Sequence, residues 1–194
     1  MPYPLYTIGY ATFSQTDFIK RLRDLSIGAV VDVRSEPTVS HFEGYRFPAI
    51  KKFVNENGIY YLPLSRELGA RPVAAALYSD GKADFSKIAR WTPFRASLKR
   101  LRDGIEKFPL CLMCAQKDPL NCHRSILITR EFKRVYPEAE IFHIISQTAL
   151  ESEEELRKRL LKSKGFDQLM LGKTSDETLA EAYSRQEEEI AYRG

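Results

Sequence analysis

Three cysteines, a histidine and an arginine crowd into fourteen residues near the middle of the chain: Cys111, Cys114, Cys122, His123 and Arg124. A thiolate is a strong nucleophile, and an imidazole beside it can act as its base. An apolar run over 109–113 reads as a strand. Asp118-Pro119 breaks it, and a helix restarts with Asp118 as N-cap and Pro119 as its first residue. Cys114 then leaves a strand end facing a helix N-terminus, whose unpaired N–H groups and dipole favour anions and thiolates. Cys122 falls at the end of the first turn, where a thiol pKa is lowered. Cys114 and Cys122 are therefore the candidate nucleophiles, with His123 the candidate general base. Adjacent side chains on a helix diverge, so His123 is expected to serve Cys114 rather than Cys122. Cys111 reads as a small core hydrophobe.

Other uses of these groups are weaker on spacing. A Cys114–Cys122 redox pair lacks the C-x-x-C pattern. A Cys114/Cys122/His123/His41 set matches no compact zinc pattern, so no metal ligand and no cofactor is assigned. His143, flanked by Phe142 and Ile144, reads as a satisfied core histidine, and His41 divides between surface and site.

The elements that must position these groups follow from periodicity and breakers. Strands are expected over 5–8, 29–33, 59–64, 110–114 and 139–145. Helices are expected over 15–25 (capped by Ser14), 48–57, 93–108 and 119–135. The stretch 65–84, containing Gly69, Pro72 and Gly81, reads as a long irregular loop or lid. Strands alternating with helices imply an α/β domain with a roughly five-stranded parallel sheet and helices on both faces. Past residue 150 the composition shifts. Ser152 to Glu155 is a capping-box pattern opening a helix to about 165, and Ser175 is expected to cap a second. Leu156, Leu160, Leu161, Leu179, Ala182 and Tyr183 are its packing positions. The chain thus divides into an α/β domain over 1–150 and a charged helical extension over 151–194, expected to dock on the domain itself.

In open α/β sheets ligands bind outside the carboxyl ends of the strands. Those ends supply Gly9 and Tyr10, Asp32 and Arg34, Arg66, and Cys114 with Gln116, with Arg124 from the helix beyond. Gly9, Tyr10, Asp32, Arg34, Arg66, Gln116 and Arg124 are the candidate substrate-binding residues, and their chemistry suits an anionic small molecule or nucleotide. Arginine's planar fork grips phosphate or carboxylate bidentately. Asp32 and Arg34 have a structural alternative, in which the aspartate caps a loop and binds the arginine.

Composition sets the outer bounds. The 194 residues are 43% hydrophobic and 29% charged, with a net charge of +4, as in an ordinary globular protein. No apolar run approaches the roughly 20 residues of a membrane span. The N-terminus shows no secretion signal, and three clustered cysteines are not a disulfide framework, so a cytoplasmic location is expected. The positive charge is local. Residues 82–107 carry eight Lys/Arg against three Asp/Glu, whereas 151–194 carry eight against eleven.

Several blocks together resemble a known family: Thr7-Ile-Gly-Tyr10, Val31-Asp-Val-Arg34-Ser-Glu-Pro37, Gly58-Ile-Tyr-Tyr-Leu62, Leu68-Gly69, and Cys114 with Cys122-His-Arg124. They are similar to the domain of unknown function family numbered 488, over about residues 5–145. The resemblance implies one α/β domain with these blocks around a single pocket, and it assigns no activity. Two positions depart from the family's usual pattern: Gly9-Tyr10-Ala11 stands where Gly-His-Ser is usual, and Gln116 where glutamate is usual. Tyrosine and glutamine can still hydrogen-bond a ligand. The Asp32-Val-Arg34 block is also similar to that of rhodanese-like domains, without their short cysteine loop.

Three functions are then ranked. The first is a thiol-dependent enzyme, a hydrolase or transferase, with Cys114 as nucleophile and Arg34 and Arg124 holding an anionic substrate. The second is a nucleic-acid-binding protein using 82–107, with Trp91 and Phe94 stacking beside the basic side chains. The third is a non-catalytic partner-binding domain.

Overall fold

A computed structural model of the chain describes residues 2–166 and 174–194. In chain order its elements are β1 (Leu5–Gly9), α1 (Gln15–Asp24), β2 (Ala29–Asp32), α2 (Ala49–Glu56), β3 (Tyr60–Pro63), α3 (Ser65–Leu68), β4 (Tyr78–Ser79), β5 (Lys82–Ala83), α4 (Phe85–Arg90), α5 (Thr92–Ile105), β6 (Leu110–Cys114), α6 (Arg130–Val135), β7 (Ile141–Ile144), β8 (Leu150–Ser152), α7 (Glu153–Ser163) and α8 (Ser175–Ile190). Six strands form one sheet in the order β3-β2-β6-β1-β7-β8. The first five run parallel, as their apolar composition implies. β8 is a sixth, antiparallel edge strand on β7 that periodicity did not reveal. At three residues it is too short to show alternation, and the boundary drawn at residue 150 falls inside it.

Alternation along the strands divides the core in two. Leu110, Leu112 and Cys114 of β6 face the layer built from α4, α5, α6, α7 and α8. Cys111 and Met113 face the opposite layer, formed by α1 and α2. Successive side chains on a strand take opposite faces, so two cysteines three residues apart serve different cores. Each fully buried aliphatic side chain contributes about 1.5–3 kcal/mol.

The C-terminal helices dock on the domain. Leu156, Leu160, Ala182 and Tyr183 are buried in the same core as Leu110 and Leu112, and Leu161 and Leu179 pack against it. A polar network at their root is fully enclosed. Glu153 receives bonds from Thr129 Oγ1 (3.0 Å) and Tyr183 Oη (3.2 Å), and pairs with His143 Nε2 (3.2 Å). His143 Nδ1 meets Thr7 Oγ1 at 2.9 Å, which makes it the satisfied core histidine expected. Burial opposes ionisation of Glu153, but the bonds from His143 and Thr129 and the charge of Arg157 outweigh it and lower its pKa.

Three local expectations are corrected. Residues 65–84 are not one irregular loop: they contain α3, a 3-10 turn over Ala75–Leu77 and the β4–β5 hairpin. The hairpin turns at Asp80 and Gly81, both with positive φ, the Asp-Gly signature of a tight turn. The C-terminus secures it, with Ala83 donating to the Tyr192 carbonyl and Gly194 to that of Gly81. Thr174 rather than Ser175 caps α8, in a capping box with Glu177. The continuous helix over 119–135 is absent. A 3-10 turn (Pro119–Asn121) gives way to an extended Cys122, then a π-helix (Arg124–Thr129) and α6.

Gly9 closes β1 directly beneath the Gln116 backbone. A Cβ placed there would come within 1.8 Å of the Gln116 carbonyl oxygen, and main chain cannot rotate aside. Gly9→Ala is therefore expected to lower unfolding free energy by about 1–3 kcal/mol, read from the urea midpoint at unchanged slope. Unaltered stability would show that this approach is looser than described.

Candidate functional site

At the carboxyl ends of β1, β2 and β6 lies a cleft of about 620 Å³. Cys114, Cys122 and His123 line it, together with Tyr10, Arg34 and Gln116. Cys114 arrives as the last residue of β6. Asp118 then turns the chain, its carboxylate accepting from the Leu120 N–H (2.9 Å) as the cap its type predicted. Cys122 is extended (φ −142°, ψ 136°) and His123 helical (φ −58°, ψ −23°).

That change of conformation decides which groups meet. Because Cys122 and His123 do not share a regular helix, their side chains do not diverge. Cys122 Sγ lies 3.7 Å from His123 Nδ1, a contact that a regular helix would not provide. Cys114 Sγ lies within 4.8 Å of Cys122 Sγ, close enough for the two thiols to influence one another's ionisation. The Sγ atoms of the two cysteines and a ring nitrogen of His123 all lie within 4.8 Å of one another. All three side chains are buried, and the cysteines are free.

A backbone contact fixes the imidazole. His123 Nε2 sits 2.9 Å from the Val33 carbonyl oxygen, which can only accept. Nε2 therefore carries a proton, and in the neutral ring Nδ1 presents its lone pair to the sulfur. The thiols differ as a result. Burial opposes ionisation of Cys122, but the contact with Cys114 and the charges of Arg124 and His123 outweigh it, holding the thiol well below its usual range. Cys114 is pushed the other way by that contact, by burial and by like charge on Cys122. Cys111 is pushed up by burial.

The candidate substrate-binding residues fall into three groups. Tyr10, Arg34 and Gln116 line the cleft. Gly9 and Asp32 lie beneath it. Asp32 is fully buried and takes the Arg34 Nε–H at 2.9 Å, while the Tyr61 hydroxyl donates to its other oxygen. Arg34 also donates to the Tyr45 carbonyl (2.6 Å) and, more weakly, to the Tyr10 hydroxyl (3.4 Å). Its fork is occupied by the protein, matching the structural alternative for this pair. Arg66 and Arg124 do not line the cleft. Arg66 is exposed on α3. Arg124 is fully buried, donating to the carbonyls of Gln116 (2.6 Å) and Lys117 (3.0 Å).

Sequence reasoning missed two further cations of the cleft. Arg46 and Arg71 stand on its walls, with His41 exposed at its rim. Arg46 donates through Nε to the Ser40 carbonyl (3.0 Å), and Arg71 pairs with Glu36 (2.7 Å) while lying over the Tyr192 ring. No local motif marks these residues.

Phe94 is fully buried and Trp91 packs against the core. Lys82, Lys99 and Arg102 are ion-paired, and Lys87 donates to the Tyr78 carbonyl. Among the described residues no helix is long and apolar enough to cross a membrane.

Fold and site together define an α/β domain with a Cys-Cys-His cluster at the strand ends. A family model, domain of unknown function DUF488, matches residues 14–130, and the chain belongs to that family. The match is narrower than the blocks over 5–145 implied, yet it includes all three members of the cluster. No curated protein and no solved structure matches the chain.

The unequal thiols make a direct prediction for alkylation followed against pH by peptide mass spectrometry. Cys122 is expected to react with a midpoint below about 8.5, the ordinary thiol value. Its reactivity is present above the depressed pKa and is lost as pH falls through it. Cys114 should react only at higher pH, and Cys111 only on unfolding. Equal midpoints for Cys114 and Cys122 would contradict the assignment.

Proposed function

We propose that this protein is a thiol-dependent enzyme, a hydrolase or transferase, acting on a small anionic substrate of phosphate- or nucleotide-like character. One observation carries the reading: Cys114, Cys122 and His123 converge in a cleft whose walls bear Arg46 and Arg71. Cys122 is the nucleophile. His123 Nδ1 holds the proton that Cys122 has given up, and the thiolate sulfur bonds to the electrophilic phosphorus or carbon. The leaving group departs with the bonding pair and recovers that proton from Nδ1. Water, deprotonated by the same nitrogen, then cleaves the bond to Cys122, and the thiol is reprotonated. In a transferase an acceptor hydroxyl takes the place of water.

Cys114 is a positioning residue, its sulfur standing within 4.8 Å of that of Cys122. The arginines hold the anion, since a planar guanidinium can bind phosphate or carboxylate through two parallel bonds. Free thiols in a reactive cluster fit the reducing conditions of a cytoplasm.

The test uses chelator-treated protein and a panel of para-nitrophenyl esters: a phosphate monoester, a phosphodiester and a carboxylate-bearing ester. Turnover of at least one is expected. Cys122→Ser should lower it by at least about a hundredfold, while Cys114→Ser keeps measurable activity. Turnover indifferent to Cys122→Ser, or none with any ester, would overturn the reading.

A further inference from the structure

We propose that Cys114, Cys122 and His123 also form a three-ligand site for a thiophilic divalent ion of the zinc class, with its fourth coordination position open to the cleft. This goes beyond the thiol-enzyme reading and does not depend on it. The geometry supports it first. Zinc bound tetrahedrally at about 2.3 Å from sulfur and 2.0–2.1 Å from nitrogen sets its ligand atoms about 3.6–3.8 Å apart. Cys122 Sγ and His123 Nδ1 are separated by 3.7 Å, and all three ligand atoms lie within 4.8 Å of one another. The remaining separations exceed the tetrahedral spacing by no more than about 1 Å.

The imidazole is already turned for the task. The Val33 carbonyl behind the ring holds the proton on Nε2, which leaves the Nδ1 lone pair aimed at the sulfurs. Metal-bound histidines are oriented in this way, their second nitrogen donating to a carbonyl or carboxylate. Charge agrees as well. Two thiolates and a divalent ion sum to zero, a combination that a buried site accommodates more readily than two adjacent thiolates. Sulfur and imidazole select zinc-class ions over magnesium or calcium, which prefer oxygen. Binding displaces the proton from any thiol that still carries one, and that proton goes to solvent.

Three protein ligands leave one vertex of the tetrahedron. Because Cys114, Cys122 and His123 all line the cleft, that vertex faces it and takes water or an anionic group. The ion engages the same lone pairs that the nucleophilic mechanism uses. The metal-loaded and nucleophilic states therefore exclude one another.

The experiment is a titration of the chelator-treated full chain with Co²⁺, followed by Zn²⁺. One equivalent of Co²⁺ is expected to give sulfur-to-cobalt charge-transfer absorption in the near ultraviolet and the intense visible bands of a tetrahedral ion. Zn²⁺ should abolish both and protect Cys114 and Cys122 from alkylation. Cys114→Ser and Cys122→Ser should each weaken the charge-transfer band, and His123→Gln should lower affinity at least tenfold. Absence of these bands in the unmodified chain would overturn the site, whether or not the variants fold. Bands at full strength in either cysteine variant would do the same. Ester turnover by chelator-treated protein is a separate readout, so either proposal can fail while the other stands.

Discussion

A guanidinium sealed inside a protein must have its charge compensated and its donors placed, and the site depends on how Arg124 meets that requirement. Its side chain reaches back across the turn to the carbonyls of Gln116 and Lys117, and extends a longer contact to Thr7 (3.4 Å). Those carbonyls belong to the segment joining Cys114 to Cys122, so the arginine holds the two thiols in register. Its charge also favours the Cys122 thiolate. From Thr7 a chain of contacts runs further in. Thr7 meets His143, and His143 meets Glu153 at the start of α7. The C-terminal helices that supply Glu153 and Tyr183 are joined to the site through these contacts.

The same arrangement explains why the chain abandons helical geometry between Asp118 and Arg130. A regular helix would send Cys122 and His123 in different directions. Here an extended Cys122, followed by a π-turn that aims Arg124 inward, brings sulfur and imidazole together. π-turns are concentrated at functional sites for this reason: one residue out of helical register redirects a side chain. Gly9 allows the Gln116 carbonyl to approach β1 closely, and the Val33 carbonyl sets the histidine tautomer. Both are backbone contributions from the strands flanking the cluster.

Much of this was legible in the chain, and the failures share a cause. Long apolar runs fixed the five parallel strands, since buried parallel strands have little else to show. Asp118-Pro119 marked its cap, and the mid-strand position of His143 marked it as core. Reading 119–135 as one helix hid the contact between Cys122 and His123, because propensity does not report the pull of buried Arg124 on the chain. Arg34 and Arg124 have the right chemistry for an anion, but an arginine also serves buried carboxylates and carbonyls, and sequence cannot separate the two uses. Arg46, Arg71 and Tyr192 join the cleft only through tertiary contacts. The β4–β5 hairpin did carry its Asp80-Gly81 turn signal, but its strands are two residues long and show no alternation.

The account rests on Cys114 and Cys122 facing one another in the cleft with Cys111 on the other side of the sheet. The most direct measurement is treatment of the native protein with a short bifunctional thiol reagent that fluoresces only when both ends have reacted, followed by peptide mapping. A fluorescent product bridging Cys114 to Cys122, with Cys111 unmodified, is the result predicted. Single-ended adducts alone, or a bridge that includes Cys111, would contradict the convergence from which both the nucleophile and the metal site were argued.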